Sequence, residues 1–187
     1  MNEKKKDKDY VGHIIEIPTN STHYSKTLSN FSSLKEELEW KSRIPQYDLF
    51  DGALIGGHFG LDNYHLGQRK GLNISGKKKP VYVIGKDYKE DRLFVGEGQD
   101  HPGLFKSVFF FPNSSMTFLN DQIQTVQFGV PQNLMVTIDS ENFEAFITIF
   151  QEGLFLDFKK NISIKILEKN FLISTLSNRP FITIITN

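Results

Sequence analysis

Between Gly67 and Gly71 the chain holds Gln68, Arg69 and Lys70 on one short turn. An amide and two cations presented from a fixed backbone can grip a phosphate or the edge of a nucleotide. Lys77, Lys78 and Lys79 follow a few residues later and make this the densest basic cluster outside the N-terminal tail. Two readings of the turn stand side by side. In one, Arg69 and Lys70 meet RNA phosphates while Gln68 meets a base or backbone group. In the other, Gln68 and Arg69 tie the turn to a neighbouring hairpin. The lysine triplet likewise reads either as an anion-binding patch or as a solvated hairpin tip. His58, His65 and His101 lack the carboxylate or cysteine pattern of a metal site. Asp48, Asp51 and Asp62 read as turn and cap residues, not as an acid–base pair. No serine sits in a nucleophile motif. The residues therefore imply no catalytic group, metal or cofactor.

The elements that position this turn are mostly strands. The 187 residues hold 17 phenylalanines and few alanines, a composition that favours sheet over helix. Formal charge balances at zero, so the molecule as a whole has no basic field to draw in nucleic acid. Nothing points to DNA, and any RNA contact must be local. With no cysteine, disulfides and thiol chemistry within these residues are excluded. No stretch of about 18 apolar residues exists to span a membrane. The N-terminus carries no apolar signal core, so a cytoplasmic setting is expected. Residues 1–9, polar and lysine-rich, read as a disordered tail.

Residues 10–17 alternate as a first strand, and residues 18–30 read as a loop. Ser33 precedes Glu36 at capping-box spacing and opens the one predicted helix. Leu34 and Leu38 share a face of it, Pro45 stops it, and Trp40 is expected to dock on a sheet. Residues 47–50 and 53–55 flank Asp51-Gly52 in a hairpin pattern, and Asp62 is placed to cap a short turn. Strands are predicted at 80–86 and 92–96. Nine more follow: 108–111, 116–119, 122–128, 134–138, 143–150, 154–158, 162–167, 171–175 and 181–185. Many short strands at even spacing imply a small barrel or sandwich. The expected layout is a tail at 1–9, a leader at 10–45, a small β domain at 46–105 and a barrel-like domain at 106–187.

Ordered blocks carry a family resemblance. They are Ile55-Gly56-Gly57-His58-Phe59-Gly60, then Tyr64-His65-Leu66-Gly67-Gln68-Arg69-Lys70-Gly71-Leu72-Asn73-Ile74. Pro80-Val81-Tyr82-Val83-Ile84-Gly85-Lys86-Asp87 and Val95-Gly96-Glu97-Gly98-Gln99-Asp100-His101-Pro102-Gly103-Leu104 complete the set. In content and spacing they resemble the middle part of the tRNA-specific 2-thiouridylases. The resemblance implies a mostly β fold: a small central β domain followed by a C-terminal β-barrel. It also implies service in wobble-uridine 2-thiolation, with tRNA and a separate PP-loop catalytic protein as partners. RNA contacts would fall on Gln68, Arg69, Lys70, Lys77, Lys78 and Lys79. The family's ATP-binding PP-loop and its two catalytic cysteines have no counterpart here. Its Pro-Gly-Gln turn is missing near residues 164–170, and its arginine-rich strand near residues 136–139. His65 stands where the family usually has threonine. The expectation is a non-catalytic accessory module; the alternative is a protein-interaction module that has lost RNA binding. A third expectation, a fragment of a longer enzyme, is disfavoured by the initiating methionine and the unfamiliar leader.

Overall fold

The computed structural model describes residues 10–25, 30–119, 127–177 and 179–186. The expected tail at 1–9 and most of the expected strand at 122–128 lie outside the described residues. The chain forms two units. One contains the described residues through Ser25 together with Gln46–Leu104; the other contains residues 30–45 and the chain from Phe105 onward.

In the first unit, β1 (Gly12–Glu16), β2 (Ala53–His58), β3 (Val81–Asp87) and β4 (Arg92–Glu97) form one sheet in the order β2-β1-β4-β3. The leader strand β1 is thus interior, antiparallel to β2 and parallel to β4. Both faces of this sheet are covered, which the alternation of apolar residues requires. Ile14, Val83, Leu93 and Val95 pack on one face with Leu61, Tyr64 and Leu72. Ile15, Ile84 and Phe94 pack on the other with Ile17, Tyr47 and Leu104. Each fully buried aliphatic side chain contributes roughly 1.5–3 kcal/mol. β3 and β4 form the predicted hairpin. Asp87 Oδ1 accepts from the Lys89 N–H at 3.0 Å and the Glu90 N–H at 3.3 Å, closing its turn.

Two local expectations fail in this unit. Residues 47–55 are not a hairpin: Leu49–Asp51 is a 3-10 turn, and β2 pairs with β1. The Asp48 and Asp51 carboxylates cap this turn reciprocally, which favours it over a strand. Asp62 does not cap the turn at Leu61–Asn63, because the cap position is Gly60 at φ 103°.

The second unit holds α1 (Leu34–Ser42), β5 (Phe105–Pro112), β6 (Met116–Phe118), β7 (Gln132–Ile138), β8 (Glu141–Phe150), β9 (Gly153–Ser163), β10 (Phe171–Ser174) and β11 (Pro180–Ile184). Its seven strands run in the order β5-β9-β8-β7-β10-β11-β6. The edge strands β5 and β6 are joined by only the 3-10 turn Asn113–Ser115. A connection that short between opposite edges obliges the sheet to curl round on itself. One contiguous core fills the inside, drawing alternate residues such as Phe109, Val136, Ile147, Leu156, Ile173 and Ile182. The expected class, a small β domain plus a C-terminal β-barrel, is the observed one.

Ser33 caps α1 by accepting from the Glu36 N–H at 3.2 Å, while the Glu36 carboxylate reaches back to the Ser32 N–H at 2.8 Å. The side chain that buries is Leu38, against Val108 and Phe155. Trp40 is only half-buried, its ring 5.6 Å from Phe31, and Leu34 is exposed. The shorter Leu38 occupies the position facing the sheet, so Trp40 does not take the expected docking role. The expected strand at 162–167 is instead the end of β9 and the 3-10 turn Ile164–Glu168. β9 also swings outward near Lys159, which has φ 55°: Lys106 pairs with Ile162, but Val108 pairs with Asp157.

Candidate nucleic-acid interface

The turn that carries Gln68, Arg69 and Lys70 is pinned to β3. Gly67 donates its N–H to the Val83 carbonyl at 2.7 Å, and the Val83 N–H donates to the Gln68 carbonyl at 3.0 Å. Gly67 and Gly71 adopt φ of 70° and 81°, a left-handed conformation that side-chain-bearing residues rarely take. Gln68 is spent on the turn itself. Its Oε1 accepts from the His65 N–H at 2.8 Å and its Nε2 donates to the Lys70 carbonyl at 2.8 Å. Both ends of the Gln68 amide thus serve the backbone of its own turn, not the neighbouring hairpin. Arg69 and Lys70 project into solvent from this rigid base.

The following loop turns back through Asn73 at φ 53° and Gly76 at φ 77°. Between its arms lies an open groove of about 470 Å³, lined among others by Arg69, Asn73, Lys77, Lys78 and Lys79, with no carboxylate in its wall. Lys77 is ion-paired to Glu16 of β1 and half-buried. Lys78 and Lys79 are exposed, and the Lys79 N–H is fixed by the Glu97 carboxylate at 2.8 Å. Of the six residues singled out by sequence, the fold brings Arg69 and the three lysines to one groove. It leaves Lys70 beside the groove and commits the Gln68 amide to the turn. Two participants were missed. Asn73 lines the wall through its unusual φ, and Glu16, distant in sequence, offsets Lys77. No local pattern announces either.

The histidines have structural work. His58 and His101 are fully buried and bonded alike. Each Nδ1 accepts from the N–H of the glycine two residues on, Gly60 or Gly103, at 3.1 Å. Each Nε2 donates to a backbone carbonyl, that of Asp91 at 2.9 Å or Ile17 at 3.0 Å. The His-x-Gly spacing common to both is the sequence signal for this arrangement. With both ring nitrogens occupied, neither histidine has a lone pair left for a metal. Burial lowers the His101 pKa below its usual 6.5, opposed by the hydrogen bond to Ile17. Among the described residues, no three His, Cys, Asp or Glu side chains converge as a metal site.

Nor does the adjoining polar cluster offer an acid–base pair. The Tyr24 and Tyr47 hydroxyls lie 2.8 Å apart. Burial pushes Tyr24 up to about 12 and Tyr47 higher still, so both stay protonated near neutrality. Burial would raise Asp51, but its hydrogen bonds from the Asp48 N–H and from His23 at 2.8 Å outweigh this and hold it below the usual carboxylate range. Among the described residues no helix is long and apolar enough to cross a membrane.

Comparison with known proteins agrees with the sequence resemblance. Residues 34–97, which include the whole groove, match the family described as the tRNA methyl transferase PRC-barrel domain. The tRNA-specific 2-thiouridylase MnmA of Christiangramia forsetii is 36% identical over 110 residues, covering 59% of this chain and 27% of that protein. The MnmA of Flavobacterium johnsoniae is 34% identical over 113 residues, covering 60% and 29%. That of Karelsulcia muelleri is 37% identical over 117 residues, covering 63% and 28%. Over about 60% of its length, then, this chain is similar to the tRNA 2-thiouridylases. It spans less than a third of the length of the curated relatives it matches.

Proposed function

We propose that this protein is a non-catalytic, thiouridylase-like accessory module that presents tRNA for wobble-uridine 2-thiolation. The observation that carries this reading is the carboxylate-free groove of Arg69, Lys77, Lys78 and Lys79, set on a braced loop inside the segment that matches the tRNA methyl transferase PRC-barrel domain. Arg69, Lys70, Lys78 and Lys79 supply phosphate contacts, and Lys77 contributes to the wall through its pair with Glu16. The mechanism is positioning: a stiff β scaffold fixes the RNA backbone and so reduces the entropy lost when substrate and catalyst meet. ATP activation and sulfur transfer are supplied outside these residues, in the simplest case by a separate PP-loop protein in the cytoplasm.

The test is fluorescence anisotropy of the purified chain with unmodified glutamate, glutamine and lysine tRNAs at low and physiological salt. Saturable binding that weakens as salt rises is expected, since phosphate contacts release counterions. Replacing Arg69 and Lys70 together with Ala should weaken all three tRNAs alike and lower the log–log salt slope by about two. Unaltered affinity in that variant would take these residues out of the interface. Absence of binding at low salt would favour the second reading, a protein-interaction module without RNA. The zero net charge and the internal use of Gln68 support that alternative.

A further inference from the structure

Lys79 stands in two walls at once. It lines the basic groove, and it also lines a second, smaller groove of about 270 Å³ together with Ile17, Thr19, Glu97 and His101. The two grooves therefore adjoin, but their chemistry differs. The first holds cations and no carboxylate; the second has a carboxylate in its wall. Ile17 and His101 give that second groove an inert surface. Both are buried, and the two ring nitrogens of His101 are already bonded, one of them to the Ile17 carbonyl. What remains to meet a ligand is the Glu97 carboxylate, the Thr19 hydroxyl and Lys79.

The Glu97 carboxylate is held in place, yet only half of it is used. Glu97 ends β4, opposite Val81 of β3. Its Oε1 accepts from the Lys79 N–H at 2.8 Å. Among the described residues Oε2 has no partner, and it is open to solvent. The Lys79 ammonium does not take it, since no ion pair joins the two side chains. The frame around them is stiff. The Gly98 N–H donates to the Pro80 carbonyl at 2.8 Å, and the Lys79 stem runs past Gly98, where an added β-carbon would lie 3.5 Å from Lys79 Cδ. A fixed carboxylate oxygen accepts hydrogen bonds and donates none, so it attracts an N–H and repels a phosphate.

We propose that the second groove reads a nucleobase: Glu97 Oε2 accepts from the exocyclic amino group of an unpaired base whose phosphates lie on Arg69, Lys78 and Lys79. This rests on the RNA reading of the basic groove. The division of charge dictates which part of a nucleotide goes where. Phosphates belong on the cations, and the carboxylate turns them away, so the base is the part that enters the second groove. Cytosine, adenine and guanine carry an exocyclic amino group, and uracil carries none. The one ring N–H that uracil can offer is flanked by two carbonyl oxygens, which the carboxylate repels. The groove thus selects against uracil, and the base it reads is not the uridine that is thiolated. The Thr19 hydroxyl, able to donate or accept, serves the ring atom beside the amino group.

Fluorescence anisotropy of the full chain with short single-stranded oligocytidylate and oligouridylate at low salt tests this. The two share a backbone and a ring size, so the ratio of their affinities isolates the base edge. Oligocytidylate is expected to bind more tightly, on the order of tenfold, the effect of one hydrogen bond to a charged group. Glu97→Gln keeps an oxygen for the Lys79 N–H and makes the other end of the side chain a donor, so the cytidine preference should vanish or invert toward uridine. Thr19→Ala, at an exposed position, should narrow the ratio and serves if Glu97→Gln perturbs folding. Equal wild-type affinity for the two would overturn the base reading while leaving RNA binding by the basic groove in place. Binding of neither at low salt would remove the RNA reading and this proposal with it. A cytidine preference that survives both substitutions would also overturn it, by placing the reader elsewhere.

Discussion

At the scale of single residues, the recurring device is a buried histidine held between a glycine N–H and a backbone carbonyl distant in sequence. It imposes two constraints that can be measured. A β-carbon added at Gly96 would lie 2.5 Å from the His101 ring, and one at Gly12 would lie 2.0 Å from the Asp91 carbonyl oxygen. Gly96→Ala should therefore cost about 1–3 kcal/mol in urea unfolding by forcing the packed ring aside. A cost near zero would mean the ring is not locked. The second constraint is protonic. Because burial depresses the His101 pKa in the folded state, the unfolded chain binds the proton more readily. Its contribution to stability is complete above the usual 6.5 and is lost as pH falls through the lower folded value. The urea midpoint should drop between pH 7.5 and 5.5, and His101→Asn should flatten that drop. The pattern was half legible in sequence. His58 and His101 stood out inside ordered blocks, but the carbonyls that complete each bond come from residues far along the chain, Asp91 in the β3–β4 turn and Ile17 just past β1.

At the scale of elements, α1 shows which sequence signals survive folding. The Ser33 cap and the stop before Pro45 were readable because each acts within a few residues. The choice of Leu38 over Trp40 was not, because it depends on Val108 and Phe155 presented by β5 and β9. A second tertiary device ends the helix. Lys106 of β5 reaches over and donates its ammonium to the carbonyls of Ser42 and Arg43, the last of the helix. Burial lowers its pKa to about 8, yet near neutrality it remains largely a cation, the charge a helix C-terminus favours. Leu38→Ala should destabilise the chain by about 2–5 kcal/mol through the cavity it leaves. Lys106→Met should cost about 1–3 kcal/mol, the penalty for stranding the carbonyls it satisfies. Both are read as shifts in denaturation midpoint, and a neutral Lys106→Met would show that water replaces the ammonium. The failed hairpin at 47–55 has the same logic. An Asp-Gly pair is a good turn signal, but the reciprocal Asp48–Asp51 caps and the waiting edge of β1 offered the chain a better arrangement.

At the scale of the whole molecule, the absence of net charge limits what the proposed RNA contact can do. With no basic field, the salt dependence of binding must come from the few exposed cations at the groove. Four phosphate contacts, by Arg69, Lys70, Lys78 and Lys79, correspond to a log–log salt slope of roughly three. A much steeper slope would mean that surfaces beyond the groove also hold the RNA. The amino-acid sequence by itself determined the β class, the helix and its cap, most of the strands and the glycine-bracketed turn. Each of these is written in alternation, capping or backbone permissiveness over a few neighbouring residues. It also carried the resemblance to the thiouridylases, as ordered blocks. Tertiary structure alone decided that the leader strand β1 lies inside a sheet, and that Glu16 offsets Lys77. Likewise it alone committed both ends of the Gln68 amide to the turn and set β2 at the edge of its sheet. These outcomes rest on contacts between residues far apart in the chain, where packing and hydrogen-bond completion select the partner and no local pattern encodes it.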